Sequence, residues 1–211
     1  MSTFITFETM YLVKTPYLLK KLYPSLIWNQ SRKEKVLYIT FDDGPIPQVT
    51  PFVLSELRKY NAKATFFCIG DNVNKHPEIF KQVISEGHSI GNHTFNHLNG
   101  WFTPTDEYIK NIEKCNKKVK ARLFRPPYGR IRPTQILSLK NEFKIIMWDI
   151  LSGDFDQELS PEDCYKNVIE QSENGSIIVF HDSLKAEPRL RYALPNALKY
   201  WTEQGYELKA L

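Results

Sequence analysis

The chain has 211 residues, which is enough for one sizeable domain and short for two. Its apolar fraction of 42% and charged fraction of 25% are ordinary for a globular protein, and no segment approaches the ~18 uninterrupted apolar residues of a membrane span. A net charge of +4 does not demand a nucleic-acid partner, so we expect none.

Residues 1–34 precede the first strong strand pattern, and we predict that they pack on a domain formed by residues 35–211. Within them, Leu12 to Leu22 is expected to form a short amphipathic helix that packs on the domain, with a membrane surface as the alternative partner. The charged start, apolar stretch and cleavage site of a signal peptide are not recognisable. The sequence therefore leaves the compartment open, with a cytoplasmic and a peripherally envelope-associated protein as the alternatives.

Beyond residue 34, strand-like and helix-like patterns alternate along the chain. Seven short apolar or β-branched runs are typical of strands that are buried on both faces. These predicted strands are Val36–Phe41, Ala64–Ile69, His88–Asn92, Leu123–Arg125, Lys144–Trp148, Ser176–Phe180 and Tyr206–Leu208.

Helix starts between these runs are marked by capping residues, prolines and acids. Thr50-Pro51 begins one helix, His76-Pro77 a second and Ser160-Pro161 another, while Thr105 begins a helix with acids in its first turn and lysines in its last. Strands that alternate with helices indicate parallel βαβ units. We predict an α/β fold, a single-domain distorted TIM-like (β/α)7 barrel.

Polar clusters follow five of the predicted strands. In barrels of this type the chemistry collects at the carboxyl ends of the strands, so these clusters should meet at one end of the barrel. They are Asp42-Asp43, His93, Arg125, the stretch from Trp148 to Asp154, and His181.

The adjacent carboxylates Asp42 and Asp43 indicate a cation or a catalytic role. Two acids at the end of a buried strand repel each other and lose hydration, at a cost of several kcal/mol for each uncompensated charge. His93 and His97 are four residues apart, so on a helical turn both imidazoles face one side. Two histidines with one carboxylate leave open metal positions for water and substrate. A non-haem iron oxygenase can use the same set, but nothing else in the sequence indicates one.

Four segments resemble, in order and spacing, the motifs of the polysaccharide deacetylases, the NodB-homology group of carbohydrate esterase family four. The resemblance covers about Lys35 to Leu211 and implies a distorted (β/α) barrel. It also implies metal-dependent removal of N-acetyl groups, less often O-acetyl groups, from sugars in chitin, peptidoglycan or xylan. The matching segments are Thr40–Pro45, His93–His97, Arg125–Tyr128 and Val179–Asp182.

The resemblance implies a metal site and a general base. Asp43, His93 and His97 would bind a divalent ion, usually Zn²⁺, with Co²⁺, Ni²⁺ or Fe²⁺ as alternatives. Asp42 would take a proton from the water that attacks the acetyl group. Arg125 would hold Asp42 in place through charge-assisted hydrogen bonds.

The resemblance also implies a general acid and a pocket for the acetyl group. His181, paired with Asp154, would protonate the amine leaving group. The backbone N–H of Tyr128 would stabilise the oxyanion. Val179 and Trp148 would line the pocket for the methyl group, although core packing explains Trp148 equally well.

Two positions depart from the family pattern. Leu151 stands where many members have Asp, and Phe155 stands where they have Trp. We expect the first change to loosen the support of Arg125 and the second to alter a sugar-stacking surface.

Five other residues of metal-binding or nucleophilic type receive no functional role. The three cysteines are odd in number and not in metal-ligand spacing, so we expect free thiols, and the two remaining histidines match no motif. These residues are Cys68, Cys115, Cys164, His76 and His88.

The leading hypothesis is a metal-dependent hydrolase that removes N-acetyl groups from N-acetylglucosamine oligomers or polymers such as chitooligosaccharides or peptidoglycan. One alternative is a deacetylase of O-acetyl esters such as acetyl-xylan. The other is a catalytically inactive carbohydrate-binding module on the same fold, against which the joint presence of base, ligands and acid argues. The sequence leaves the polymer, its length and the oligomeric state open.

Overall fold

The computed structural model describes residues 11–211; residues 1–10, the start of the predicted N-terminal segment, lie outside the described part. The strands are β1 (Val36–Asp42), β2 (Thr65–Cys68), β3 (Ser89–Asn92), β4 (Leu123–Phe124), β5 (Lys144–Ile145), β6 (Ile150–Leu151), β7 (Ile177–His181) and β8 (Glu207–Leu208). The helices are α1 (Tyr17–Leu22), α2 (Thr50–Lys59), α3 (Gly70–Lys75), α4 (Pro77–Ser85), α5 (Thr105–Val119), α6 (Pro133–Leu139), α7 (Pro161–Glu170) and α8 (Glu187–Glu203).

The strands form a curled parallel sheet in the order β5-β4-β3-β2-β1-β7-β6, with β8 paired to the start of β1. The predicted α/β barrel with seven strands is confirmed. The predicted strand set is wrong in two places: β6 was not expected, and the run after Lys144 ends as a strand at Ile145. His181 therefore ends the seventh strand in chain order rather than the sixth.

Side chains of β1 alternate between the helix layer and the inside of the barrel, because successive residues of a strand point to opposite faces. Ile39 and Phe41 belong to the large hydrophobic core that includes helix residues such as Leu54 and Leu190. Thr40 and Asp42 face the other way and bind a buried arginine from the end of β4. The carboxylate of Asp42, the last residue of β1, therefore lies on the inner side of the barrel.

The chain preceding β1 lies across the gap between the two ends of the sheet path, β5 and β6. On the β6 side, the Leu151 N–H donates to Val13 O at 2.8 Å, and the Thr15 N–H donates to Asp149 O at 2.9 Å. On the β5 side, the Met147 N–H donates to Ile27 O at 2.7 Å. Residues 13–27 therefore occupy hydrogen-bonding edges that an open sheet would leave unpaired.

The buried carboxylate of Asp149 forms ion pairs with the chain that precedes β1. Asp149 is fully buried and lies 2.9 Å from Lys14 Nζ, 2.5 Å from Lys20 Nζ and 2.9 Å from Arg32 Nη2. Burial would raise the pKa of Asp149, but hydrogen bonds from these cations and from Ser176 outweigh it and hold the pKa well below 3.8. The carboxylate is charged at neutral pH and pairs with three cations of the chain that precedes β1.

Asp149→Asn is expected to lower the free energy of unfolding at pH 7 by ~3 kcal/mol, because it leaves cations beside a neutral buried group. The lowered pKa means that wild-type Asp149 contributes fully above 3.8 and loses its contribution as the pH falls below that value, so the difference should narrow in acid. Chemical denaturation at several pH values measures both. Glu173→Gln is the control, because its half-exposed pairs should contribute less than ~1 kcal/mol.

The predicted helix from Leu12 to Leu22 is shorter than expected, since α1 begins only after Pro16. Its apolar side chains Leu18 and Leu22 are exposed, so the segment packs through the residues on either side of the helix and through Lys20. Within residues 11–211 no helix is long and apolar enough to cross a bilayer.

The remaining residues without a predicted role lie in the packed interior or at its edge. The three cysteines are free and buried, as expected. His88 is buried and its Nδ1 accepts from the Ala64 N–H at 3.2 Å, while its ring lies edge-on to Phe66.

Three helices were not predicted: α3, α6 and α8, the last of which packs on α7 and β7.

Candidate active site

The two adjacent carboxylates diverge at the end of β1. Asp43 has a φ of 86°, which ends the strand geometry immediately after Asp42. The turn is held by the Asp43 N–H donating to Phe67 O at 3.2 Å and by Asn72 Nδ2 donating to Asp43 O at 2.7 Å. As a result one carboxylate faces Arg125 inside the barrel and its neighbour faces two histidines.

Asp42 is held by a fully buried arginine. Arg125 Nη1 lies 2.7 Å from Asp42 Oδ1 and 2.7 Å from Thr40 Oγ1, and its ring-stacked guanidinium is 4.1 Å from the centre of Phe67. Burial would raise the pKa of Asp42, but the charge of Arg125 and its hydrogen bond, together with the charge of His181, outweigh burial and lower the pKa. Asp42 is therefore ionised at neutral pH with one oxygen fixed.

Arg125 is held by several contacts although position 151 carries no acid. Two backbone carbonyls hold the guanidinium: Nη2 donates to Met147 O at 2.9 Å and Nε donates to Ile146 O at 3.3 Å. Leu151 itself is buried in β6. Backbone acceptors from the residues that follow β5 therefore support the guanidinium, and whether an acid at position 151 would hold it more firmly stays a prediction.

Asp43, His93 and His97 form a three-residue cluster that can hold a metal ion. Their ligand atoms all lie within 4.8 Å of one another, and Asp43 Oδ1 is 3.8 Å from His93 Nε2 and 3.4 Å from His97 Nε2. Asp43 Oδ1 is buried and has no hydrogen-bond partner among the described residues. A buried carboxylate oxygen without a donor, aimed at two imidazole nitrogens, fits a bound cation.

The histidines reach this position from a turn rather than from the predicted helical turn. Thr94 and His97 have φ values of 63° and 60°, and the Leu98 N–H donates to Thr94 Oγ1. His93 Nδ1 lies 2.8 Å from the carbonyl oxygen of Arg125, which can only accept, so Nδ1 carries the proton and Nε2 has a free lone pair. Burial lowers the pKa of His93, and burial lowers that of His97 to about 4, so both imidazoles are neutral near pH 7.

His181 and Asp154 form a second charged pair at the same end of the barrel. His181 lies beside Asp42 in the register of β7 with β1. Its Nδ1 is 2.7 Å from Asp154 Oδ1, and its backbone N–H donates to Asp154 Oδ2 at 2.7 Å. Burial would lower the pKa of His181, but the charge of Asp154 and the hydrogen bond to it raise the pKa to about 9. The imidazole is therefore a proton donor at neutral pH.

The predicted substrate-contacting residues surround these groups at different depths. Tyr128 is exposed, has a φ of 60°, and its hydroxyl is 3.1 Å from His97 Nδ1. Trp148 is half-buried against Gly129, where a Cβ would stand 2.5 Å from the indole. Val179 is buried two residues before His181, on the same face of β7, and it lies beside Thr40 of β1.

Asp182 is a site residue that sequence reasoning named in a motif without giving it a role. Its Oδ1 accepts from the Gly44 N–H at 2.9 Å, and its Oδ2 shares a 2.6 Å hydrogen bond with the Thr50 hydroxyl. A Cβ on Gly44 would lie 2.0 Å from Oδ2, so position 44 must be glycine for this contact. Asp182 links the strand carrying the candidate acid to the turn carrying the candidate metal ligand.

Comparisons with known proteins identify similar sequences over most of the chain. A family model described as polysaccharide deacetylase matches residues 29–144. A peptidoglycan-N-acetylglucosamine deacetylase of Bacillus cereus is 36% identical over 197 residues, which cover 89% of this chain and 92% of that protein. A chitooligosaccharide deacetylase of Azorhizobium caulinodans is 37% identical over 161 residues, which cover 72% of this chain and 76% of that protein.

A solved structure is similar over nearly the same extent. The crystal structure of the Bc1960 peptidoglycan N-acetylglucosamine deacetylase, in complex with 4-naphthalen-1-yl-N-oxidanyl-benzamide, superposes with a TM-score of 0.85 at 31% identity. The match covers 93% of this chain and 95% of that chain. The similarity therefore extends over most of the chain rather than over a single motif.

Proposed function

Because the chain belongs to the polysaccharide deacetylase family, we propose that it hydrolyses the N-acetyl group of N-acetylglucosamine units in an oligo- or polysaccharide, as in peptidoglycan or chitooligosaccharides. The observation that carries the proposal is the buried Asp43 oxygen without a donor, which faces two imidazole nitrogens. An ionised acid and a charged His–Asp pair lie at the same strand ends.

Asp43, His93 and His97 would hold the metal ion, and we propose Zn²⁺ because two imidazoles and one carboxylate with open positions suit this ion. When bound, such an ion polarises the acetyl carbonyl and lowers the pKa of water. Tyr128 closes one side of the cluster through its hydroxyl contact with His97. We propose that its backbone N–H faces the oxyanion.

Asp42 accepts the proton of the attacking water. Its carboxylate stays ionised beside Arg125, and the single contact at Oδ1 leaves Oδ2 for the water. The buried guanidinium fixes the orientation of the carboxylate, since the guanidinium itself makes four hydrogen bonds and has little freedom to move.

His181 delivers the proton that the amine leaving group needs. Its Nδ1 is engaged by Asp154, so the proton to be transferred is the one on Nε2. Asp154 is fully buried and receives the backbone N–H of His181 as well, which sets the ring against β7. A dedicated donor favours amide over ester substrates, because an amine anion cannot leave unprotonated whereas an alkoxide is the better leaving group.

Acetate release by the purified protein tests this function. The protein is stripped with a chelator and reloaded separately with Zn²⁺, Co²⁺, Ni²⁺ or Fe²⁺, and acetate is measured from chitooligosaccharides, peptidoglycan and acetyl-xylan. Metal-dependent release from the two N-acetylated substrates is expected. Release from acetyl-xylan alone would indicate an O-deacetylase, and sugar binding without release under any metal would indicate an inactive binding module.

A further inference from the structure

The His181 imidazole contacts the aromatic ring of Phe155 in addition to its hydrogen-bond partner Asp154. The Nδ1 contact with Asp154 fixes one edge of the ring. The ring of Phe155 meets the imidazole edge-to-face, with centroids 5.3 Å apart and planes at 77°. Such a pair has a preferred geometry, so the position of Phe155 restricts how the imidazole can tilt.

Phe155 lies in a turn, where no strand or helix hydrogen bonds hold its backbone in register. Its ring is instead packed against Tyr11, with centroids 5.0 Å apart and an interplanar angle of 58°. Tyr11 belongs to the segment that precedes β1, and it lies outside residues 29–144, where the family model matches. The aromatic ring that contacts the candidate acid His181 is therefore itself packed against a residue from a distant part of the chain.

The turn is shaped to receive this tyrosine. Gly153 has a φ of 79°, and a Cβ there would lie 2.4 Å from Tyr11 Oη. Two residues after Tyr11, the Val13 carbonyl accepts from the Leu151 N–H at 2.8 Å. These contacts place Tyr11 in one position over the turn from Gly153 to Asp156.

We propose that Tyr11 is a positioning residue for the reaction: it holds Phe155 against His181 and so fixes the direction in which the imidazole delivers its proton. The proposal rests on the proposed role of His181 as the acid. Proton transfer to an amine depends on alignment, and a displacement of about 1 Å can cost up to ~100-fold in rate. Ester hydrolysis needs this proton less, so it should be less sensitive to Tyr11.

Zinc-loaded Tyr11→Ala is expected to lose ~10-fold in kcat on a chitooligosaccharide, while kcat on an acetyl ester, the KM values and the metal content change by less than ~2-fold. Tyr11→Phe keeps the ring and should retain near wild-type kcat on both substrates. Tyr17→Ala is the matched control, because Tyr17 is an exposed tyrosine on α1 of the same segment. In a Phe155→Ala background, the Tyr11→Ala loss should vanish, since the two residues act through one contact.

A second measurement is independent of activity. The Phe155 ring shifts the NMR signals of the His181 ring protons, so Tyr11→Ala should move those signals whereas Tyr11→Phe and Tyr17→Ala should not. Unchanged His181 signals in Tyr11→Ala, or equal losses on amide and ester, would overturn the proposal. Wild-type protein that releases no acetate from any N-acetylated sugar would refute the proposed function, and the NMR comparison would still decide whether Tyr11 sets the imidazole.

Discussion

Asp42→Asn is expected to lower kcat for N-acetylated substrates by ~10³-fold while the protein keeps its metal ion. Asparagine has the shape of aspartate and can still accept from Arg125, but it cannot take a proton from water. The candidate metal ligands Asp43, His93 and His97 are untouched, so metal content should stay at the wild-type level. The measurement is kcat on chitooligosaccharide together with the metal content of the purified variant.

Asp43→Ala serves as the control, because it should differ from Asp42→Asn in metal content. It removes the buried oxygen that faces both imidazoles, so the metal should be lost along with turnover. The two substitutions are adjacent in sequence and differ in which function they remove. Equal metal loss in both variants, or an Asp42→Asn variant within ~10-fold of wild-type kcat, would contradict the division of roles between the two acids.

Local sequence patterns were sufficient to predict the elements that bring the site together. The apolar run from Val36 to Phe41, the β-branched composition of β7 and the polar residues that follow both strands are properties of neighbouring residues. Parallel strands place their carboxyl ends at one edge, so the sequence alone predicts that Asp42, His93 and His181 lie close together.

The features that sequence reasoning missed depend on contacts between distant residues. The two-residue strand β6 is too short for a periodic pattern, and it exists because Val179 and Val13 flank it from remote parts of the chain. The role of Asp182 depends on the close approach of Gly44, about 140 residues earlier, which no spacing rule indicates. Arg125 is supported by carbonyl groups, which carry no signature in the sequence.

His181→Ala is expected to lower kcat on an N-acetylated sugar by ~10³-fold and kcat on an O-acetyl ester by only ~10-fold. The amine must be protonated as the carbon–nitrogen bond breaks. The imidazole of His181, paired with Asp154, is the proposed proton donor at that end of the barrel. An alkoxide leaves with less assistance, so the ester reaction retains most of its rate. Parallel assays of chitooligosaccharide and acetyl-xylan with the same enzyme preparation measure the ratio.

The pH dependence of the amide reaction provides the control for this assignment. The donor must be protonated, so amide turnover should fall as the pH rises through the pKa of His181, about 9, and a cation bound nearby would move this limit to lower pH. Asp154→Asn removes the charge that raises this pKa and should shift the alkaline limit further down while preserving the ring. An alkaline limit that does not move in Asp154→Asn, or equal losses of amide and ester activity in His181→Ala, would assign the proton to another group.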